Sequence, residues 1–256
     1  MLQKKTTKRK TSDSQITIPY ALFLLVLYRL AYVFGVILLL LPQFVVHMPF
    51  ATLKALTTRE SSATGPLISL QQQLTYSWSA NLIHLLVIVL IIWLLSYHHV
   101  NFFSKKPITL YEIGSIALYT LSLLIILSSL WFALTFFSPN FSPFTPFSME
   151  NIHLIASKSS LYLSTFVAIV LLAPLAEEII FRGIFSIIFR RYQLIGLIAC
   201  GIAFSLYHCA TDGLAFIWYL VMGLGLGAIY IKTERIEAAI FAHMMLNLCQ
   251  FVLIIR

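Results

Sequence analysis

Charge is what this sequence has least of. Asp, Glu, Lys and Arg together make up 10% of its 256 residues, where a soluble globular chain carries roughly 25%. Hydrophobic residues make up 60%, and the mean hydropathy is +0.92. So few charges cannot cover a water-facing surface, which excludes a cytosolic enzyme, a disordered chain and a secreted disulfide scaffold. Cysteine is scarce too. Cys200, Cys209 and Cys249 all fall in apolar segments, are odd in number and show no ligand spacing, so they read as small buried hydrophobes. There is no internal repeat, no His-Glu-x-x-His, no Ser-His nucleophile motif and no glycine-rich phosphate loop. The series Gly223, Gly225, Gly227 lies inside an apolar run and predicts close helix packing. What is left is an integral membrane protein.

The net charge of +8 is not spread as in a nucleic-acid binder: Lys4, Lys5, Lys8, Arg9 and Lys10 precede the first apolar run. They read as a cytoplasmic tail, residues 1–18. A helix needs about 20 apolar residues to cross the bilayer. That ruler predicts an all-α, polytopic transmembrane bundle of about seven spans: 19–47, 81–99, 109–137, 160–189, 194–209, 213–231 and 238–255. The first is too long for a signal peptide and carries Pro42 near its end. With the N-terminus cytoplasmic, the inner segments hold eleven of the seventeen Lys and Arg residues and the outer ones four, as the positive-inside rule requires. An eighth, short or re-entrant segment within 48–80 or 140–157 would alter the early part of that scheme.

An ionisable group in the membrane interior costs about 2.5–3.5 kcal/mol on insertion scales, so each needs a partner or a purpose. Arg29 and His84 are isolated cases expected to snorkel or to pair with another span, and Glu112 sits near a predicted inner boundary. The second half is richer. Residues 174–182 read Pro-Leu-Ala-Glu-Glu-Ile-Ile-Phe-Arg, with Pro174 suited to a first helical turn or a kink. Glu178 and Arg182, four apart, stack on one face as an ion pair. Glu177 is turned about 100° away with no partner in its own segment, a carboxylate available for proton transfer. Phe204 and His208 share a face of the next span, and His243 and Asn247 share one on the last. Counting at about 1.5 Å per residue puts Glu177 and His208 both ~20 Å from the inner boundary, with His243 and Asn247 at ~10–18 Å. One polar site within the membrane is therefore expected, with Asp212 in the outer turn read as a solvated residue.

Such a set admits three chemistries. Glu177 and His208 can activate a water while His243 and Asn247 donate to a peptide oxyanion. Glu177, His208 and His243 can instead hold zinc, or the groups can line a proton or ion path.

Glu177-Glu178-x-x-x-Arg182, Phe204-x-x-x-His208 and His243-x-x-x-Asn247, in that order on successive apolar helices, resemble the three motifs of the CAAX protease and bacteriocin-processing (Abi) family. The Phe181-Arg182-Gly183 run adds to the match. The resemblance covers 158–256, which it implies is a catalytic core, with 19–157 as accessory spans and loops. It implies an intramembrane glutamic endopeptidase in which Glu177 and His208 activate water, and His243 and Asn247 form the oxyanion site. Glu178, Arg182 and Phe204 match in supporting positions. No cofactor is expected, because Asn247 beside His243 suits an oxyanion role better than a ligand set; zinc on Glu177, His208 and His243 is the alternative. The implied partners are the lipid bilayer and a membrane peptide or lipidated protein, such as a prenylated protein or a bacteriocin or signalling-peptide precursor. A bacterial plasma membrane is the implied location. The alternative function is self-immunity or signalling by binding without proteolysis.

Overall fold

The apolar runs fold as helices, which satisfy their own backbone hydrogen bonds as a membrane interior demands. The computed structural model describes residues 78–98, 103–139, 159–184, 188–189, 192–208 and 213–255, together with residues 19, 23–24, 26–31 and 33–35 of an N-terminal helical stretch. The basic tail 1–18, Pro42, the candidate extra segments 48–77 and 140–157, the Arg190–Arg191 turn, Cys209 and Asp212 lie outside the described residues.

The helices are α1 (Trp78–Tyr97), α2 (Leu110–Phe137), α3 (residues 159–184), α4 (Gln193–His208), α5 (Gly213–Thr233) and α6 (Ile236–Ile255), with no strand among the described residues. Five helices are long and apolar enough to cross a membrane: Trp78–Tyr97, Leu110–Phe137, Tyr162–Ile184, Gly213–Thr233 and Ile236–Leu253. The chain is thus a multi-pass membrane protein. The span expected at 194–209 is found as the 16-residue α4, shorter than the ruler of about 20 residues. The first expected span is described only in part.

Local chemistry sets the helix boundaries and their irregularities. Thr109 caps α2 through a capping box with Glu112: the Glu112 amide donates to the Thr109 hydroxyl and the Thr109 amide donates to the Glu112 carboxylate. In α3, Ser159–Phe166 and Ala173–Glu178 are α-helical, whereas Val167–Leu172 and Ile179–Ile184 are π-helical. Pro174 opens the second α segment. Lacking an N–H, it withdraws one rung of the backbone ladder, and the wider π turn before it absorbs the loss. The helix therefore runs through the proline.

Burial falls into two apolar clusters. One joins α2, α4 and α5, with Phe181 of α3 and Ala238, Ala242 and Leu246 of α6. The other joins Leu24 and Tyr28 of the N-terminal stretch to α1, to Leu172, Ala176, Ile179 and Ile184 of α3, and to Ile236 and Ile240 of α6. Helices α3 and α6 belong to both, so side chains at their mutual contact sit at the seam between clusters.

Gly223, Gly225 and Gly227 of α5 each admit a neighbour. A Cβ on Gly223 would lie 3.2 Å from both the Gly201 Cα and the Phe204 Cβ, one on Gly227 would strike Leu197 of α4, and one on Gly225 would strike Leu123 of α2. At one end of the bundle Arg235, buried in the α5–α6 turn, donates from Nε to Glu112 Oε1 (3.0 Å), from Nη1 to the Lys106 carbonyl (3.0 Å) and from Nη2 to the Pro107 carbonyl (3.1 Å). The Ser104 amide donates to Glu237 Oε1. These bonds put the α1–α2 loop and the α5–α6 turn on one side, the two loops whose lysines and arginines the charge pattern grouped together. Glu112 thereby gains the partner that its position called for.

Backbone of α4 cannot yield at Gly223 as a flexible side chain would. Gly223→Val is expected to lower stability by about 1–3 kcal/mol through overpacking, read as a lower unfolding temperature in detergent. Gly213→Ala serves as the control, because a Cβ there meets nothing within 4 Å.

Candidate active site

The seam between the clusters holds the polar residues. Glu178, the first of them to be fully enclosed, is wholly buried on α3, and a buried carboxylate must be paired and hydrogen-bonded to be tolerated. Its Oε1 accepts from Arg182 Nη1 at 2.9 Å and from His243 Nδ1 at 2.8 Å. Arg182 Nη2 donates onward to the Gly223 carbonyl at 2.7 Å. The guanidinium also lies over the Phe204 ring, with Cζ 5.3 Å from its centroid. One carboxylate oxygen thus ties α3 to α6, and one arginine ties α3 to α5. A side chain at 223 would crowd the backbone that receives the Arg182 bond.

Glu177 faces the same region from the adjoining position. Its Oε2 stands 3.6 Å from His208 Nε2 and 3.7 Å from His243 Nε2. The ring orientations follow from the partners of the other nitrogens. His208 Nδ1 is 2.9 Å from the Phe204 carbonyl, which only accepts, so Nδ1 carries the proton. His243 Nδ1 carries one likewise, against the Glu178 carboxylate. Both Nε2 atoms therefore turn toward Glu177. The Glu177 Oε2 is buried and accepts no hydrogen bond from the described residues, an arrangement that calls for a reason.

Access divides the group in two. The Glu177 and His208 side chains are 13% and 20% exposed, whereas Glu178, Arg182 and His243 are at most 2% exposed. The first pair is partly open; the other three form a sealed frame behind it. Tyr219 of α5 stacks on His208 with centroids 4.5 Å apart and planes at 13°, and Phe204 packs against the same imidazole at 4.3 Å. The His208 ring is gripped between them.

Glu177, His208 and His243, expected to share a site, converge. Glu178 and Arg182 form the expected pair, and Phe204 supports both the imidazole and the guanidinium. Asn247 is placed differently: its amide donates to the Ile169 carbonyl in the first π segment of α3 at 2.8 Å, about two helical turns before Glu177. Its amide carries a second N–H beyond that bond. Glu177, alone in its own segment, meets its neighbours across helices. Among the described residues no group of three or more His, Cys, Asp or Glu side chains is disposed to hold a metal ion.

Tyr219 gave no signal in the sequence, being one aromatic residue in an apolar run. His84 did, as an ionisable residue within a span. It shares a 2.8 Å hydrogen bond with the Tyr28 hydroxyl, which ties α1 to the N-terminal stretch.

A polytopic helical protein with a paired-carboxylate and two-imidazole site inside its apolar bundle is the class that fold and site define. Residues 158–249 match the family model described as type II CAAX prenyl endopeptidase Rce1-like. The matched segment contains all three polar motifs and bears out the resemblance read from them. It indicates a protease, hence a hydrolase, acting in a membrane. No match to the chain was found among curated proteins or among solved structures.

Removing Arg182 would leave the Glu178 carboxylate uncompensated in an apolar interior. Arg182→Ala is expected to cost about 3 kcal/mol or more, seen as loss of folded protein on detergent size exclusion. Arg182→Lys is expected to recover only part, since a single ammonium replaces a planar fork that reaches both Glu178 and Gly223.

Proposed function

We propose that the protein is an intramembrane glutamic endopeptidase that hydrolyses a peptide bond of a membrane-associated substrate. The observation that carries this is the buried Glu177 Oε2, left without a protein donor and faced by two imidazole Nε2 atoms at 3.6 and 3.7 Å. A water at that oxygen gives its proton to Glu177 and is oriented by His208 as it attacks the substrate carbonyl. The proton then passes to the departing amine. In this reading the oxyanion is met by His243, held at Nδ1 by Glu178, and by the second N–H of Asn247. The Glu178–Arg182 pair keeps His243 in place and does not touch the reacting atoms.

In this reading residues 158–256 form the catalytic core and 19–157 the accessory spans. The substrate is a prenylated protein, or a bacteriocin or signalling-peptide precursor, and the location is a bacterial plasma membrane with the N-terminus cytoplasmic. No cofactor is required. Zinc held by Glu177, His208 and His243 is the alternative, and chelation separates the two. Self-immunity or signalling by binding alone is the second reading, resting on the family resemblance.

Purified protein in liposomes would be incubated with prenylated and leader peptides and the products read by mass spectrometry. Wild type is expected to cleave with and without a chelator. Glu177→Gln is expected to abolish cleavage and His208→Ala to reduce it about 10²–10⁴-fold, with both variants still folded. Loss on chelation and rescue by zinc would move the reaction to metal chemistry. Cleavage that survives in folded Glu177→Gln would overturn the glutamate mechanism.

A further inference from the structure

The hydrolytic steps make no use of Pro174, which lies buried in α3 three residues before Glu177. A proline inside a helix has two local effects. Its ring presses on the carbonyl four residues back, and the N–H that would continue the ladder is missing. The π-helical turn Val167–Leu172 gives the ring room. It also decides which carbonyl loses its donor. At the end of that turn the Ala173 amide donates to the Ala168 carbonyl, five residues back. The next rung in the same register would run from residue 174 to the Ile169 carbonyl, and Pro174 has nothing to donate. A backbone carbonyl without a donor is costly in an apolar medium. Proline is tolerated in a membrane helix where a neighbouring helix makes good the loss.

Asn247 makes it good. From α6 its amide donates to the Ile169 carbonyl at 2.8 Å, in place of the rung that the proline removes. Four residues earlier on α6, His243 is bonded to Glu178, so α6 is tied to α3 on both sides of Pro174. The terminal torsion of a carboxamide is broad unless a partner fixes it. With one N–H committed to Ile169, the plane of the Asn247 amide is set and its second N–H has a fixed direction.

Resting on the proteolytic reading, we propose that Pro174 is a positioning residue for the oxyanion side of the site. By lacking an N–H it leaves the Ile169 carbonyl to Asn247, and that bond orients the carboxamide whose second N–H meets the oxyanion. A residue with an N–H at 174 would compete for the same carbonyl and release Asn247. The proline itself touches no reacting atom.

A double-substitution cycle in the full chain tests this. Pro174→Ala and Pro174→Val each restore the N–H, the second with nearly the volume of the ring. Each would be made alone and together with Asn247→Ala. Cleavage of a peptide cut in the Glu177-dependent assay would be measured beside the unfolding temperature in detergent. Both 174 variants are expected to fold and to lose about 10–10²-fold in kcat, with KM near wild type. In the Asn247→Ala background kcat is already low, and a 174 substitution is expected to lower it no further. There it is expected to raise the unfolding temperature by about 2–4 °C, because the Ile169 carbonyl regains a donor. If Asn247→Ala alone does not fold, recovery of folded protein in the double variant is the same result.

Wild-type kcat in both folded 174 variants overturns the proposal, as does a loss in kcat that adds fully to that of Asn247→Ala. So does a loss seen with alanine and absent with valine, which would assign the effect to ring volume. An unchanged unfolding temperature in the Asn247→Ala background overturns the pairing of Pro174 with Asn247 while leaving the protease intact. Absence of any Glu177-dependent cleavage by wild type would remove the proteolytic reading and the positioning role with it, and the temperature cycle would still report the bond.

Discussion

The Glu178 carboxylate, shut away from water, must be compensated where it stands. Its Oε1 takes one bond from Arg182 and one from His243, and Arg182 spends a further donor on the Gly223 carbonyl. Two of those bonds cross to other helices, at His243 on α6 and Gly223 on α5, and Phe204 of α4 packs beside the guanidinium. Breaking one partner strands a charge in an apolar medium, which costs several times more than losing an ordinary contact. The pair is thus less a source of net stability than a constraint that allows only one register of four helices. The orientation of His243, and through it the environment of Glu177, follows from that register.

Two adjacent glutamates consequently hold different stations. Glu178 is enclosed, its Oε1 held by both Arg182 and His243. Glu177, one residue earlier, is rotated into the partly accessible space beside His208, with one oxygen free of protein donors. A carboxylate shut off inside the frame is out of reach of a water that would give it a proton. A partly accessible carboxylate facing two imidazole Nε2 atoms is the opposite case. The π-helical turns on either side of this Glu-Glu step change the rotation per residue where the two side chains must diverge, and such departures from the α-helix recur at functional sites.

Helices outside the segment that matches the family complete the surroundings. The N-terminal stretch and α1 pack on α3 and α6, with Tyr28 bonded to His84 and Arg29 over the ring of Tyr207. Under the proposed function, variation in those helices would alter the surroundings of Glu177 without changing the chemistry there.

Much of this was legible in the sequence because hydrophobic runs in a bilayer are nearly unambiguous. Spans near 81–99, 109–137, 213–231 and 238–255 were placed within a few residues, since a backbone without water must close its own hydrogen bonds. The Glu178–Arg182 pair was legible from a spacing of four, and the common depth of Glu177, His208 and His243 from counting along helices. Three things were not. The π turns flanking Ala173–Glu178 depend on how α3 packs, not on a residue code beyond Pro174. Asn247 shares a helical face with His243, yet its amide reaches the Ile169 carbonyl, because helix–helix contact and not the spacing of four decides what each side chain meets. Tyr219 on His208, and Arg29 on Tyr207, join residues far apart in the chain. The sequence alone determined that this is a helical membrane protein with scarce, costly charges gathered in its second half. Only the tertiary structure decided which of those charges are spent on each other and which one is left facing two imidazoles, because partners in an apolar interior are assigned by packing across helices.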